Sequence, residues 1–313
     1  MNIAIIGRTK VLLDTAKLLH KAGHTIKLII AAKEAPEYKA TASDFKDFAH
    51  SINAKYLFDN NINKSTSIKN LTKKLNIDIG ISVNYINIIQ KNIINLFSYG
   101  ILNAHGGDLP KYKGNACQAW AIINKEDKIG LCIHKMTEKL DSGDIIDRKY
   151  FPIDINTKIS TIYDWIHKNT PQMFLNSIKL LEGDKNYYLE KQSTLAHKSL
   201  RCFPRKPEDG KVNWKEDNDT IIRLINASGP PYAGAYTYLN NDTKIIILDA
   251  KMGNTIPPTL AVPGQILDID STNENVVVYC GNSTSIILKS ISLEDRKPTT
   301  ANKIIKSIRD RLY

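Results

Sequence analysis

The N-terminal part of the chain alternates at regular intervals between short β-branched apolar runs and longer stretches with helical periodicity. Ile3 to Gly7, Thr25 to Ala31, Ile79 to Val83, Ile101 to His105 and Leu131 to Met136 read as strands. Leu12 to Ala22, Ser43 to Ile52, Ser67 to Leu75, Ile88 to Leu96 and Ala116 to Asn124 read as helices. Strands separated by helices pair in parallel, because a right-handed crossover is the connection that lays each helix back on the sheet. The expected fold is α/β, a Rossmann-like, mostly parallel, doubly wound sheet whose ligands meet the C-terminal ends of its strands. Its first turn, Gly7-Arg8-Thr9-Lys10, has one glycine and lacks Gly-x-Gly-x-x-Gly, which argues against a nicotinamide dinucleotide.

The pattern changes further along. A long helix is predicted from Ile159 to Leu181 with Gly183 as its stop, followed by a Pro- and charge-rich linker from Ser199 to Gly210. Asn218 to Ala227 reads as a helix. Alternating runs then follow at Ala235 to Leu239, Lys244 to Ala250, Gly264 to Asp268, Asn275 to Cys280 and Ser285 to Ser290, separated by Asn, Gly and Ser. They predict a smaller, β-rich, OB-like domain, an antiparallel barrel or sandwich. At 313 residues the chain suits two ordinary domains, and the division is expected at 1–198 and 199–313.

Chemistry concentrates in one place. After the apolar Ile101-Leu102 come Asn103-Ala-His105-Gly106-Gly107-Asp108-Leu109-Pro110-Lys-Tyr112-Lys-Gly114, and a second strand, Ile129 to Met136, leads to Leu140-Asp141-Ser-Gly143-Asp144. The strand period of two puts Asn103 and His105 on one face, so both can reach a single reacting group. Singly, Asn103 reads as a turn residue, His105 as a satisfied core histidine and Asp141 as an Asx-turn. Jointly, an amide, an imidazole and a carboxylate among glycines at strand ends favour a reaction site.

These motifs resemble the Asn-x-His, Leu-Pro-x-x-x-Gly and Asp-x-Gly signatures of the 10-formyltetrahydrofolate-dependent formyltransferases, in the same order and at similar spacing. Pro231-Tyr232-Ala-Gly234-Ala235 further resembles a turn of the relatives that formylate nucleotide-linked amino sugars. The chain departs from the family at Gly106-Gly107-Asp108, where many members have Pro-Ser-Leu. The resemblance implies transfer of a formyl group from 10-formyltetrahydrofolate, as co-substrate, to an amine. His105 and Asn103 would stabilise the oxyanion, and Asp141 would position His105, favouring its protonated form, or accept the amine proton. Folate contacts are expected from Ser82, Val83, Asn84, Tyr85, Gly106, Gly107, Leu109, Gly114 and Asp144, with Tyr85 or Tyr112 on the pterin. Arg8 and Lys10 are candidates for a pyrophosphate and Tyr232 for a nucleotide base; for each the plain alternative is surface charge or corner packing.

The acceptor implied is a nucleotide-linked 4-amino sugar, with dTDP-4-amino-4,6-dideoxyglucose for a surface polysaccharide (O-antigen) as the specific expectation. The alternative within the chemistry is methionyl-tRNA formyltransferase, and the alternative of another class is a non-catalytic nucleotide- or nucleic-acid-binding protein. The formal charge of +11 raises the question of nucleic acid, but residues 200–313 carry only +2 and residues 1–199 carry +9, spread mostly as Lys. No basic stripe is interleaved with aromatics, so no nucleic-acid partner is expected. Cys117, Cys132, Cys202 and Cys280 form no Cys-x-x-Cys pair, and the histidines show no ligand spacing, so no metal is expected. With no apolar leader or membrane-length run, a cytoplasmic protein without membrane contact is the default, and the resemblance implies a homodimer.

Overall fold

This computed structural model describes residues 1–36, 38–254 and 256–313. The chain forms two compact units, one of residues 1–117, 129–151 and 164–202, the other of 118–128, 152–163 and 203–313. The expected cut at 198/199 lies close to the last of these boundaries. Two short earlier segments, 118–128 and 152–163, also group with the C-terminal residues.

In the first unit the order is β1 (Asn2–Gly7), α1 (Lys10–Lys21), β2 (Thr25–Ala31), α2 (Ala42–Ser51), β3 (Lys55–Phe58), α3 (Thr66–Lys74), β4 (Ile79–Val83), α4 (Lys91–Ile94), β5 (Ile101–His105) and β6 (Tyr112–Gly114). Along the chain then follow α5 (Cys117–Ile123), which apart from Cys117 groups with the second unit, β7 (Lys128–Lys135), β8 (Ile145–Pro152), α6 (Ile159–Gly183), whose first residues 159–163 also group there, and β9 (Leu200–Cys202). A seven-stranded sheet runs β3-β2-β1-β4-β5-β7-β8. The pairings of β1 with β2 and β4, of β2 with β3 and of β4 with β5 are parallel, whereas β7 runs antiparallel to β5. Residues 3–7 of β1 and 79–83 of β4, rich in Ile, are buried, as strands covered on both faces must be. Chain order reverses between β1 and β4, and open sheets of this kind bind ligands at the carboxyl ends of the strands beside such a reversal.

The helix expected from Ile88 to Leu96 is only the single turn of α4. The Asn63 side chain takes over the backbone before it, donating to Ile88 O at 2.9 Å and accepting from Gln90 N at 2.8 Å. Those bonds hold residues 88–90 in a loop and delay the helix.

The second unit holds α7 (Asn218–Ser228), started by the Asp217 side chain, which accepts from Thr220 N at 2.8 Å. Its strands are β10 (Ala235–Leu239), β11 (Thr243–Met252), β12 (Ile266–Asp270), β13 (Asn275–Tyr279), β14 (Ser285–Leu293) and β15 (Thr299–Thr300). They form an antiparallel sheet in the order β10-β11-β14-β13-β12, with β15 on β14. The last residues bridge its two edges, Leu312 to Leu239 and Arg311 to Gln265, which closes the sheet in the manner of a barrel. Trp214, Ile225, Ile247, Val278 and Leu288 are among its buried core.

Candidate active site

Neighbouring strands β4, β5 and β7 bring the polar groups together through their register. Ser82 pairs with Asn103, and Asn103 pairs across β5 with His134. Paired residues project on the same face of a sheet, so one amide, one hydroxyl and one imidazole share a side. His134 is 2% exposed. Its Nδ1 lies 2.9 Å from the Lys135 carbonyl, an acceptor only, so the ring proton sits on Nδ1 and donates there. Nε2 is left as the acceptor, and Asn103 Nδ2 donates to it at 3.2 Å. Burial drives the His134 imidazole down to about 4, so it stays neutral and keeps this direction. The Asn103 amide is thereby fixed, with one N–H bound to His134 and the other available to a reacting oxygen.

His105 ends β5, nearly buried. Its Nε2 donates to Tyr112 O at 2.6 Å, and its Nδ1 faces Asp141 Oδ2 at 3.5 Å. Gly107 makes this possible: a Cβ there would lie 2.4 Å from Tyr112 O and 2.6 Å from His105 Nε2. The glycine of the family departure is what seats the histidine in this chain.

Asp141 reaches the site from the turn after β7, at a φ of +45°, a conformation that Asp and Asn tolerate better than most residues. Its Oδ2 accepts from Gly114 N at 2.9 Å and its Oδ1 lies 3.8 Å from His134 Nε2. Burial alone would push its carboxyl up, but His105, the Gly114 N–H and Arg201 together hold it below the usual carboxylate range. A negative charge is therefore maintained in a nearly enclosed place. The turn is anchored where Asp144 O accepts from Lys135 N at 2.9 Å, Gly143 O from Gln192 Nε2 at 2.6 Å and Leu140 O from Ser142 Oγ at 2.7 Å.

Of the residues expected from sequence, Asn103, His105, Gly107, Gly114 and Asp141 converge, with Ser82 on the neighbouring strand and Asp144 and Gly106 in the adjoining loops. Leu109 is buried against Cys132 and Ile145 and holds the loop down. Val83 is buried. Tyr85 is committed to packing: its hydroxyl donates to Asp59 O and accepts from Ile62 N, and its ring lies against the core around Ile6 and Ile30. Tyr112 is likewise buried, and its carbonyl serves His105.

Arg8 stands at the β1/β4 reversal, donating to Asn84 O and Lys33 O with its guanidinium over Tyr38, whose hydroxyl accepts from Asn84 Nδ2. It braces the strand ends. Lys10 is held locally, 2.7 Å from Asp14 one turn along α1. In the second unit Tyr232 is partly exposed, its hydroxyl bonded to that of Tyr163.

Three residues near the reacting groups were not singled out in the sequence: His134, Lys113, whose Nζ donates to Ser142 Oγ at 3.2 Å, and Cys117, whose Sγ donates to Tyr112 O at 3.2 Å. Among the described residues no group of three or more His, Cys, Asp or Glu side chains is arranged to hold a metal, and no helix is long and apolar enough to cross a membrane.

A fixed neutral donor, an imidazole and a low-lying carboxylate at the strand ends of an α/β sheet define an acyl-transfer type of site. Residues 1–178 match the formyl transferase domain and residues 205–309 the formyl transferase C-terminal domain, and the chain belongs to this family. It is 25% identical over 309 residues to a methionyl-tRNA formyltransferase of Syntrophus aciditrophicus, covering 98% of this chain and 96% of that one. Among solved structures it resembles WlaRD, a sugar 3N-formyl transferase crystallised in the presence of dTDP and 5-N-formyl-THF, with a TM-score of 0.68 at 21% identity over 95% of this chain and 99% of that one. A HypX variant from Aquifex aeolicus superposes with a TM-score of 0.62 at 15% identity over 98% of this chain, which spans only 49% of HypX.

Proposed function

We propose that this formyltransferase carries the formyl group of 10-formyltetrahydrofolate to the amine of a nucleotide-linked 4-amino sugar, with dTDP-4-amino-4,6-dideoxyglucose for O-antigen as the specific candidate, acting in the cytoplasm as a homodimer. The observation that carries it is the pairing of an oriented Asn103 amide with a low-lying Asp141 carboxyl beside His105.

The residues present fit the donor. Ser82 Oγ is buried with no hydrogen-bond partner, on the face it shares with Asn103, so a polar group is still owed to that hydroxyl. Ser82, Asn84 and the Gly106–Gly114 loop would hold the folate, which supplies an electrophilic formyl carbon when bound. Asn103 presents its second N–H to the oxygen on which negative charge grows, and the His134 contact keeps that N–H from turning away. Asp141, already ionised, draws in the acceptor amine, takes the proton it loses on attack and returns it to the folate nitrogen as the bond from that nitrogen to the formyl carbon breaks and tetrahydrofolate leaves. His105, held by Tyr112 O and Asp141, adds its ring to the stabilisation of that charge.

The acceptor class rests on charge. A tRNA acceptor would call for basic residues spread over the C-terminal part, and residues 200–313 carry only +2. WlaRD, which shares the fold, is a sugar formyl transferase, whereas the relatives nearer in sequence include methionyl-tRNA formyltransferases. Incubation with 10-formyltetrahydrofolate and a panel of amino-sugar nucleotides beside initiator methionyl-tRNA, with products read by mass, tests the choice. A formylated sugar nucleotide is expected; formylation of the tRNA alone refutes the sugar reading, and no product with any acceptor points to the non-catalytic alternative.

A further inference from the structure

A cavity of about 510 Å³ opens near the ends of β3 and β4, lined by Asn61, Asn63 and Lys64 from the loop after β3 and by Ile86, Asn87 and Ile88 from the loop after β4. Hydrogen bonds between the two loops fix its walls. Asn63 Nδ2 donates to Ile88 O at 2.9 Å, Gln90 N to Asn63 Oδ1 at 2.8 Å, and Asn87 Nδ2 to Asn60 O at 2.6 Å. The Tyr85 hydroxyl adds two more, donating to Asp59 O and accepting from Ile62 N. The cavity is thus preformed, and Asn103, His105 and Asp141 take no part in it.

Asn63 and Asn87 each spend one amide N–H on these contacts and keep a second to offer, and Lys64 adds an exposed ammonium. Ile86 and Ile88 are 40% and 53% exposed, so the lining also presents apolar surface. The surrounding charge is positive: residues 60–107 hold Lys64, Lys69, Lys73, Lys74 and Lys91 against Asp78 alone. Asp59, the carboxylate next along the chain, accepts from Asn61 N at 2.7 Å. A neutral sugar would use the amides and leave the ammonium idle, and a bare phosphate would leave the isoleucines idle. An anion on an apolar stem uses all three. The formyl donor has such a part. Beyond the nitrogen that carries the formyl group, a folate continues as a benzoyl ring and a glutamate, and each further γ-linked glutamate adds a carboxylate. Ser82, which pairs with Asn103, lies four residues before Ile86, at most about 14 Å of extended chain, and a benzoyl ring with one glutamate is of similar length.

We propose that this cavity takes the benzoyl-glutamate tail of the formyl donor, with Lys64 pairing its carboxylates and Ile86 and Ile88 covering its ring, and so selects donors that carry several glutamates. The assignment rests on the 10-formyltetrahydrofolate reading above. Titration calorimetry of the full chain with the monoglutamate and triglutamate forms of 5-formyltetrahydrofolate tests it on wild type, Lys64→Ala, Lys64→Arg and Ile88→Ser, with a melting temperature for each. Expected is triglutamate binding about tenfold tighter than monoglutamate in wild type, a preference cut to about threefold or less in Lys64→Ala and kept in Lys64→Arg. Ile88→Ser should weaken both forms alike, and about 0.5 M salt should remove most of the wild-type preference. In turnover, Lys64→Ala should raise KM for the triglutamyl donor and leave kcat in place. Equal affinity of wild type for the two forms, or a preference that Lys64→Ala leaves intact, overturns the tail site and leaves the formyl-donor reading standing. A preference lost from Lys64→Ala and Lys64→Arg alike, with a lowered melting temperature, overturns it as a structural effect. A wild type that binds neither folate overturns both.

Discussion

Mild acid should destabilise this protein through His134 before its carboxylates begin to protonate. The imidazole is 2% exposed, donates from Nδ1 to Lys135 O and accepts at Nε2 from Asn103, and burial holds it at about 4. In the unfolded chain a histidine titrates near 6.5. Between these values the unfolded state binds a proton that the folded state refuses, so unfolding free energy rises with pH across that window and falls as pH drops from about 6.5 to about 4. The difference of the two values corresponds to about 3 kcal/mol for full passage through the window. Urea unfolding at several pH values between 7.5 and 4, on wild type and His134→Gln, isolates the effect. Glutamine retains an acceptor for Asn103 but no titrating ring, and the carboxylate contributions, common to both proteins, cancel in the difference. Wild type should lose about 3 kcal/mol more than the variant between pH 7.5 and 4. Parallel pH profiles would refute a buried neutral histidine, and with it the fixed direction of the Asn103 amide. Protonated His134 would turn an N–H toward Asn103 Nδ2, donor against donor, so formyl transfer should also fall in acid with an apparent pKa well below 6.5.

Gly107→Ala should lower turnover about a hundredfold and cost about 1–3 kcal/mol of stability, because its Cβ would displace His105 from Tyr112 O; a variant that unfolds and turns over like wild type would rule out that packing. Asn103→Ala and His105→Ala should each cost about two to three powers of ten in turnover, measured with any acceptor that the panel identifies, and near-normal rates in both would remove the assignment. Asp141→Asn keeps a residue that accepts the positive φ but loses the charge, so the rate should collapse and, because the folded state holds this carboxyl below its usual range, some stability at neutral pH should be lost as well; retained activity would show that the carboxylate takes no proton. Thr237→Val should cost about 1–3 kcal/mol in urea unfolding, since it strands the buried Trp214 Nε1 donor, and a loss near zero would mean that water or repacking serves that group.

The sheet was legible where strands are mostly apolar on both faces, as at β1, β2 and β4, and much less so at its margin. β3 carries Lys-Tyr-Leu-Phe with no fully buried position, so its pairing with β2, and not its composition, makes it a strand. The ribbon β6–β9 joins segments far apart in the chain, three residues each, too short for periodicity to register. In the site, Asn103, His105 and Asp141 could be read locally because each sits in a glycine-bearing motif. His134 could not, for it lies in an apolar run, and its role depends on the antiparallel register that sets it opposite Asn103. Tyr85 and Lys10 show the converse. Both are of suitable type at suitable strand ends, and the structure engages Tyr85 in local hydrogen bonds and Lys10 in an exposed one-turn ion pair.

The Gly106-Gly107-Asp108 departure now has a physical content at two of its three positions. At 107 the absent Cβ is the space filled by Tyr112 O, so His105 Nε2 rests on a backbone carbonyl instead of pointing into the site. At 108 the carboxylate lies 3.3 Å from Arg148, which also pairs with Glu190 and donates to Leu109 O at 2.7 Å. Charge thus clamps this loop in place. The two changes act together, because the clamp holds Leu109 in its pocket beside Cys132 while the glycine lets the same loop close over the histidine. A histidine anchored at Nε2 leaves Asn103 as the donor that faces a developing oxyanion directly. In the reaction proposed above, the electrostatic work would therefore fall more on the neutral amide, and on the buried His134 that aims it, than the arrangement of motifs along the chain implies.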